Sequence, residues 1–357
     1  MKLLVLGDYD SPHVKRWITE MEARGWVVQC LSFTSGIDVP GRIAHLGKIR
    51  AWNLLFQILR VRRLSREFGP DIVHAHYATS YGFLGSFICG VPFVVSLWGS
   101  DILVSAKQSS LLRRFARRTL WKANHVFADS DELLEEAEKV FPIRDKSTKV
   151  HWGVDHRFFY PIPRTARKLR ILSFRNHYPV YNVDLILGAF RKVFENHEEA
   201  ELLLAGVGSM TGELRGMAGG PADIRFLGRL QEPDLARLIQ ECDVVVTVPS
   251  TDGLSSSLLE AMACGKYVIC SDIPVYHEWL KREYASFVAP GSGSALEAAF
   301  LFVKKCSAEQ LEKMGRAAFE ANQSRLGREE QFDRVVRIYG NLKVVEPSPQ
   351  REKTIML

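Results

Sequence analysis

Short apolar runs alternate with amphipathic stretches from the start of the chain onward. Runs at 3–6, 27–33, 72–76, 93–97 and 126–128 are short and predominantly apolar, which predicts buried strands. The stretches between them, 11–24, 50–68, 110–122 and 131–139, carry apolar residues at helical spacing. The segment 160–168, with Pro161, Pro163 and a basic end, breaks the pattern as a linker does. The alternation then resumes, with strands predicted at 171–174, 201–205, 224–227, 244–248, 267–270 and 286–289. Helices are predicted between and after them at 184–194, 232–241, 256–263, 294–304 and 308–322. Strand–helix alternation is the signature of a parallel sheet covered by helices on both faces. Two such series predict an α/β protein of two Rossmann-like, doubly wound domains, 1–162 and 163–327, facing a central cleft. A last helix over 328–345 is expected to return to the first domain, and 346–357 reads as a disordered tail.

Length and composition agree with this picture. A chain of 357 residues suits two domains, and 46% hydrophobic with 25% charged residues is ordinary for a globular protein with real cores. The six cysteines form no Cys-x-x-Cys pair and sit mostly in apolar runs, so they read as reduced and buried in a cytoplasmic protein. The opening MKLLVLGDYD turns acidic before an apolar region long enough for a secretory signal develops. The uncharged stretch 82–99 is broken by Gly90-Val91-Pro92, which predicts a buried helix, a turn and a buried strand instead of a membrane span.

Charge is unevenly placed. Residues 1–160 hold 22 basic and 16 acidic side chains, whereas 161–357 hold 25 of each, so the whole excess of +6 lies in the N-terminal half. An excess there suits an acidic partner. Two basic stretches stand out: 48–68, with Trp52, Leu55, Phe56 and Leu59 among five arginines, and 111–118, LLRRFARR. Both fit peripheral contact with an anionic membrane, on the inner face of a cell. The apolar residues of the first are expected to pack on the sheet while its arginines face outward. The basic residues lack interleaved stacking aromatics or a recognised module, which argues against nucleic acid.

The richest chemistry lies where the strand VVVTVPS runs into TDGLSSSLLEAMACG. A strand, a glycine, small polar residues and then a helix expose backbone N–H groups at a helix N-terminus, which is an anion site suited to a diphosphate. Asp252 and Glu260, one before the helix and one on its second turn, can face the same ligand. Carboxylates accept hydrogen bonds from hydroxyls, so the pair suits a ribose and a sugar flanking that diphosphate. A serine-capped helix with a surface glutamate is the structural alternative.

This pattern resembles the retaining glycosyltransferases of family 4 (glycosyl transferases group 1), which have the GT-B fold, and the resemblance covers nearly the whole chain. It implies that Glu260 holds the nucleotide ribose and that Gly253, Leu254, Ser255 and Ser256 form the diphosphate loop. The first acid, normally Glu and directed at the donor sugar, is Asp252 here, one methylene shorter. ILSFRNHYPVYN supplies Arg175 where the family has an arginine that clamps the diphosphate, but Tyr181-Asn182 stands in place of the family's Lys-Gly. That work is expected to fall on Arg175 and the nearby Arg229. ELLLAGVGS and IRFLGRL match the same domain, although Gly-Val-Gly alone is a weak dinucleotide signal.

In the first half, GDYDSPHVKRW, PDIVHAHYATSYG, SLWGSD and ADSDEL sit at the ends of successive strands and resemble the family's acceptor domain. Trp98 stands where many members have His. Asp101, as a catalytic candidate, and His13, His76 and Trp98, on the acceptor side, are the side chains singled out there; the three polar ones also read as structural. Asp8-Tyr9-Asp10 mimics the metal signature of another transferase fold and is treated as coincidence.

The resemblance implies a hexosyltransferase that moves a sugar from a UDP- or GDP-linked donor to a glycan or lipid-linked acceptor in polysaccharide biosynthesis. Retention of configuration goes with it, and neither metal nor resident cofactor is needed if Arg175 and the helix N-terminus carry the leaving charge. The alternatives are a non-catalytic nucleotide-sugar-binding protein with a decayed donor site and a GT-B epimerase or hydrolase.

Overall fold

The computed structural model describes residues 1–33, 42–47, 53–163, 168–194, 198–219 and 223–342. The chain divides into two compact units, Met1–His151 together with Phe332–Leu357, and Trp152–Gln331. The tail 346–357, and Lys48, Arg50 and Trp52 of the first basic stretch, lie outside the described residues.

The first unit is built on a parallel sheet of β1 (Lys2–Leu6), β2 (Val27–Ser32), β3 (Ile43–His45), β4 (Ile72–His76), β5 (Phe93–Ser96), β6 (His125–Ala128) and β7 (Ser147–Lys149). Its strand order is β3-β2-β1-β4-β5-β6-β7. The second unit holds β8 (Leu169–Ser173), β9 (Ala200–Ala205), β10 (Asp223–Gly228), β11 (Val244–Thr247), β12 (Tyr267–Ser271) and β13 (Ala285–Val288), in the order β10-β9-β8-β11-β12-β13. Helices cover both faces, so the central strands are buried throughout: every residue of β4, β9 and β12 is inaccessible or nearly so. The periodicity located all the long strands. It missed β3 and β7, three-residue edge strands with the sequences IAH and STK, because half-buried edges need no apolar run.

In each sheet the order reverses once, between β1 and β4 and between β8 and β11. Ligands of such sheets bind outside the carboxyl ends of the strands at that reversal. The only two non-glycine residues with positive φ among the described residues are Tyr77, at +87°, and Asn182, at +51°. Tyr77 directly follows β4, and Asn182 closes the loop after β8. Backbone held in a disfavoured region costs about 1–3 kcal/mol and persists only where its surroundings enforce it.

The second unit begins at Trp152, ahead of the 163 boundary that the proline-rich segment suggested. Val154 and Phe159 are already buried in its core, and Gln240 Nε2 donates to the carbonyls of Phe158 and Tyr160 at 3.0 and 3.1 Å. Val154 also pairs with the far end of the unit, its amide donating to Leu326 at 2.7 Å and its carbonyl accepting from Arg328 at 3.0 Å. The helix Arg328–Asn341 crosses the division, and from Phe332 on it belongs to the first unit. Phe332, Val335 and Tyr339 form its buried stripe. Phe332 meets Trp17 edge-on at 5.1 Å, and the Tyr339 hydroxyl shares a 2.6 Å hydrogen bond with His74 Nδ1. Among the described residues no helix is long and apolar enough to cross a membrane. The 82–99 stretch resolves into the helix Tyr81–Gly85, a turn at Gly90 and β5.

Burial, with His76 and His125 nearby, holds His74 well below its ordinary value, and burial with His13 brings His76 from 6.5 down to about 3. Both are therefore neutral when folded at pH values where the unfolded chain protonates them. Their contribution is complete above about 6.5 and is lost as pH falls towards the folded values, at about 1.4 kcal/mol per pH unit for each group. Denaturant midpoints should drop between pH 7 and pH 5, and less steeply in His76→Asn. Identical pH profiles for the two proteins would contradict this role.

Candidate functional site

Arg175 leaves the end of β8 and lies across the carboxyl end of β11, at the strand-order reversal of the second unit. It is a buried cation, only 8% exposed, and an unpaired charge at such depth would cost several kcal/mol. Its guanidinium donates to Ser255 Oγ and pairs with Asp252 Oδ2 at 2.9 Å, while its plane covers the Tyr181 ring at 4.1 Å. Burial works against the charge, but Asp252, and after it Tyr276 and Tyr181, outweigh that and raise its pKa. The Tyr276 hydroxyl donates to the same Asp252 oxygen at 2.8 Å. Burial and then Asp252 push that phenol well above its ordinary value, so it stays a donor.

Ser255 occupies the N-cap position of the helix Ser256–Ala263, yet its side chain makes no capping bond, because its hydroxyl serves Arg175. The backbone carbonyl of Ser255 accepts from Leu258 and Leu259 at 3.1 and 3.2 Å. The amides of the first helical residues, Ser256 and Ser257, have no carbonyl within the helix to reach, as at every helix start. Glu260 follows one turn on, within the buried part of the helix at 8% exposure. Gly253 and Leu254 join β11 to this helix, with Leu254 anchored in the core. The structure thus brings together Arg175, Asp252, Gly253, Leu254, Ser255, Ser256 and Glu260 on one strand-end. Arg229 is exposed and follows β10, with β9 between that strand and β8.

Two features went unread in the sequence. Tyr276, on the helix Pro274–His277 after β12, carried no motif and is found only through its bond to Asp252. The Gly-Val-Gly after β9 proves to be a packing device. A Cβ on Gly206, whose φ is +136°, would lie 2.6 Å from the Arg175 carbonyl oxygen, and one on Gly208 would lie 2.3 Å from that of His177. Asn182 completes the frame, its Nδ2 donating to the Val248 carbonyl at 2.8 Å and to Ser250 Oγ at 3.0 Å. The Tyr181 ring, one residue before it, lies under the Arg175 guanidinium.

In the first unit, His13, His76 and Trp98 meet beside the β1–β4 reversal, with Trp98 5.1 Å from His13 and 5.6 Å from His76, ring to ring. His13 falls to about pKa 4 through burial and Arg16. Asp101 is fully buried, its carboxylate accepting from the amides of Ala78 at 2.7 Å and of Trp98 and Ile102 at 3.1 Å. Burial raises its pKa and these amides oppose the rise. With its oxygens so engaged, Asp101, one of the catalytic candidates, ties the loop after β5 to the loop after β4. Asp8 and Asp10 are engaged locally, the Asp10 amide donating to Asp8 Oδ1 at 3.0 Å. No group of three His, Cys, Asp or Glu side chains is arranged for a metal among the described residues.

Two stretches of the chain match known family models. Residues 2–130 match the model for glycosyl transferase 4-like proteins and residues 159–321 that for glycosyl transferases group 1. The chain belongs to this glycosyltransferase family, and its fold is GT-B. It is 31% identical over 266 residues to phosphatidyl-myo-inositol mannosyltransferase of Mycobacterium leprae, covering 72% of this chain and 63% of that one. An uncharacterized glycosyltransferase of Methanocaldococcus jannaschii is 22% identical over 237 residues, or 65% of this chain and 64% of the other. The match therefore spans a little under two thirds of the length of either relative. Among solved structures, Anabaena HepE in complex with UDP superposes with a TM-score of 0.78 at 16% identity, covering 96% of this chain and 100% of that one.

Gly208→Ala should destabilise the second unit by about 1–3 kcal/mol, because the new methyl must displace the His177 carbonyl beside Arg175. Thermal unfolding of the variant checks this, and an unchanged midpoint would show that the loop yields freely.

Proposed function

We propose that the protein is a hexosyltransferase that moves a sugar from a nucleoside-diphosphate sugar to an acceptor hydroxyl, with retention at the anomeric carbon. The observation that carries this is the buried Arg175 cation held beside an uncapped helix N-terminus, with Glu260 one turn further on. A diphosphate laid against Gly253, Leu254, Ser255 and Ser256 meets the amides of that helix start and the Arg175 fork together. Glu260 accepts from the ribose hydroxyls, and Asp252, oriented by Tyr276, accepts from a hydroxyl of the donor sugar. Arg175 and the helix N-terminus stabilise the departing diphosphate, which supports a metal-independent reaction. HepE, whose solved complexes hold UDP and UDP-glucose, supports a nucleotide-linked donor, UDP- or GDP-sugar.

The acceptor is proposed to be a glycan or lipid-linked glycan in polysaccharide synthesis, reached from the cytoplasmic face of a membrane. What supports the membrane is the helix Leu54–Phe68: Leu54, Ile58, Leu64 and Phe68 pack on the core, but three apolar residues that were expected to do so face outward. Gln57, Val61 and Ser65 face the core, while Leu55, Phe56 and Leu59 are 70, 63 and 54% exposed. Arg62, Arg63 and Arg66 continue that outward face. On the second basic stretch, within the helix Ser110–Lys122, Leu111 and the arginines 113, 114 and 117 are exposed. Arg118 turns inward, over the Phe87 ring at 4.0 Å. An apolar and basic outer face suits the interface of an anionic bilayer.

Glu260→Ala and Arg175→Ala should each lower transfer at least about tenfold, the loss expected of a charged contact worth roughly 1.4 kcal/mol or more. Asp252→Asn should split the parameters: the carboxylate competes with the diphosphate for Arg175, so UDP affinity holds or rises while transfer falls at least about tenfold. Wild-type rates in all three, or no affinity for any UDP-, GDP- or ADP-sugar, would remove the proposal. Rapid donor consumption without acceptor would favour the hydrolase or epimerase reading. For the membrane, Phe56→Asp with Leu59→Asp should lower co-sedimentation with phosphatidylglycerol vesicles several-fold, and unchanged sedimentation would discard that surface.

A further inference from the structure

Both terminal nitrogens of Arg175 are taken within the protein: Nη1 donates to Ser255 Oγ and Nη2 to Asp252 Oδ2, the latter at 2.9 Å. A diphosphate that reaches this guanidinium must displace one of these acceptors or share with it. The arginine itself is poorly placed to move. Its plane lies over the Tyr181 ring at 4.1 Å. The loop that carries Tyr181 is tied to the end of β11, the Ser250 amide donating to the Val180 carbonyl at 2.8 Å and Asn182 Nδ2 to that of Val248 at 2.8 Å. Asp252 stands on the short segment between β11 and the helix Ser256–Ala263. Among the described residues its carboxylate has two partners, Arg175 and Tyr276. Both meet it at Oδ2, which leaves Oδ1 to accept from a ligand. Tyr276 is the fixed member of this group. Its ring is fully buried in the core that also holds Leu254 and Leu258. Its amide donates to the Ile273 carbonyl at 3.1 Å, and its carbonyl accepts from Trp279 and Leu280 at 3.1 and 2.9 Å. Ser271 Oγ, at the end of β12, donates to the Pro249 carbonyl at 2.6 Å and so joins the strand before Tyr276 to the segment before Asp252.

From this arrangement we infer that donor binding is an exchange at Asp252: the diphosphate takes the Arg175 fork and the carboxylate passes to Tyr276, which makes Tyr276 a positioning residue of the donor site. A diphosphate brought to Arg175 repels the carboxylate beside it. A carboxylate that loses its cation in a partly buried place needs another donor to remain there. The phenol is that donor, and it adds no charge: burial and then Asp252 push it well above its ordinary range, so it stays protonated. Held by Tyr276, Asp252 keeps Oδ1 available to a hydroxyl of the donor sugar. Without the phenol it stays with Arg175 and contests the fork with the phosphate. That a diphosphate comes to this strand-end rests on the transferase reading above, whereas the base and the sugar that it carries do not enter.

Titration calorimetry on the full chain tests it, with inorganic pyrophosphate, UDP, GDP and ADP as probes. Four proteins are compared: wild type, Tyr276→Phe, Asp252→Asn and the double variant. Losing one hydroxyl leaves the volume of the buried ring in place, so Tyr276→Phe keeps the packing of the core. It should bind pyrophosphate, and whichever nucleotide wild type accepts, about three- to tenfold more weakly, because Asp252 then competes for Arg175. In the Asp252→Asn background the same change should alter affinity by less than about twofold, since a neutral amide does not contest the fork. An equal loss in both backgrounds would show that the tyrosine acts by packing alone, and it overturns the inference. Undiminished affinity in Tyr276→Phe does so too, as does weaker binding by Asp252→Asn than by wild type. In protein that binds a nucleotide, each of these results leaves the donor site standing. If pyrophosphate binds with the expected dependence on Asp252 and no nucleotide does, the transferase reading falls and the role of Tyr276 remains. Failure of wild type to bind any of the four probes removes both.

Discussion

A guanidinium buried at the end of a central strand is the constraint around which the second unit is arranged. Arg175 cannot stay charged at that depth without partners, and every neighbour that supplies one is drawn in by it: the Ser255 hydroxyl is taken from its own helix, Asp252 is turned towards β8, and Tyr181 lies flat beneath. The consequence is chemical. A helix start deprived of its side-chain cap sits next to a fixed positive charge, and together they form a preorganised anion site. The same pairing also sets a competition. Asp252 already engages Arg175, so an incoming diphosphate must share the fork, while Tyr276 keeps the carboxylate from swinging away. Beneath the fork, the Tyr181 ring supports the guanidinium without adding a charge.

The two reversals of strand order differ in charge. At β8–β11 the Arg175 guanidinium is buried and paired with Asp252, with Glu260 buried one turn into the helix. At β1–β4 the wall of a cavity holds one carboxylate, a neutral imidazole and aromatic rings. Both carry a strained non-glycine residue on the loop that leaves the central strand, Asn182 in one and Tyr77 in the other. Such strain survives only where surrounding bonds enforce it. Asp101 belongs to this enforcement. Its buried carboxylate gathers three backbone amides and so positions the loop that bears Trp98.

The helix Leu54–Phe68 shows how a stripe can be read only in part. Leu54, Ile58, Val61, Leu64 and Phe68 pack on the core as expected, yet Leu55, Phe56 and Leu59 face outward. Gln57 takes an inward position, and donating to the Leu46 carbonyl at 2.7 Å satisfies its buried amide.

Much of this protein was legible in the order of its residues alone. Apolar runs and helical spacing located the two series of strands and helices, since a parallel sheet buried on both faces demands uninterrupted apolar strands. The stretch 251–260 suggested an anion site because a glycine and serines before a helix start expose backbone N–H groups, with a serine-capped helix as the alternative. What only the tertiary structure decided depends on contacts between residues far apart in sequence. Periodicity could not tell that β3 and β7 pair at the edges, that Trp152 already belongs to the second unit, or that Leu55 faces outward. Neither could it show that Tyr276 reaches Asp252 or that Asp101 spends its oxygens on backbone amides. In each case the decisive quantity is whether a polar group finds a partner once buried, and such partners are chosen by the packing of the whole unit, not by the local sequence.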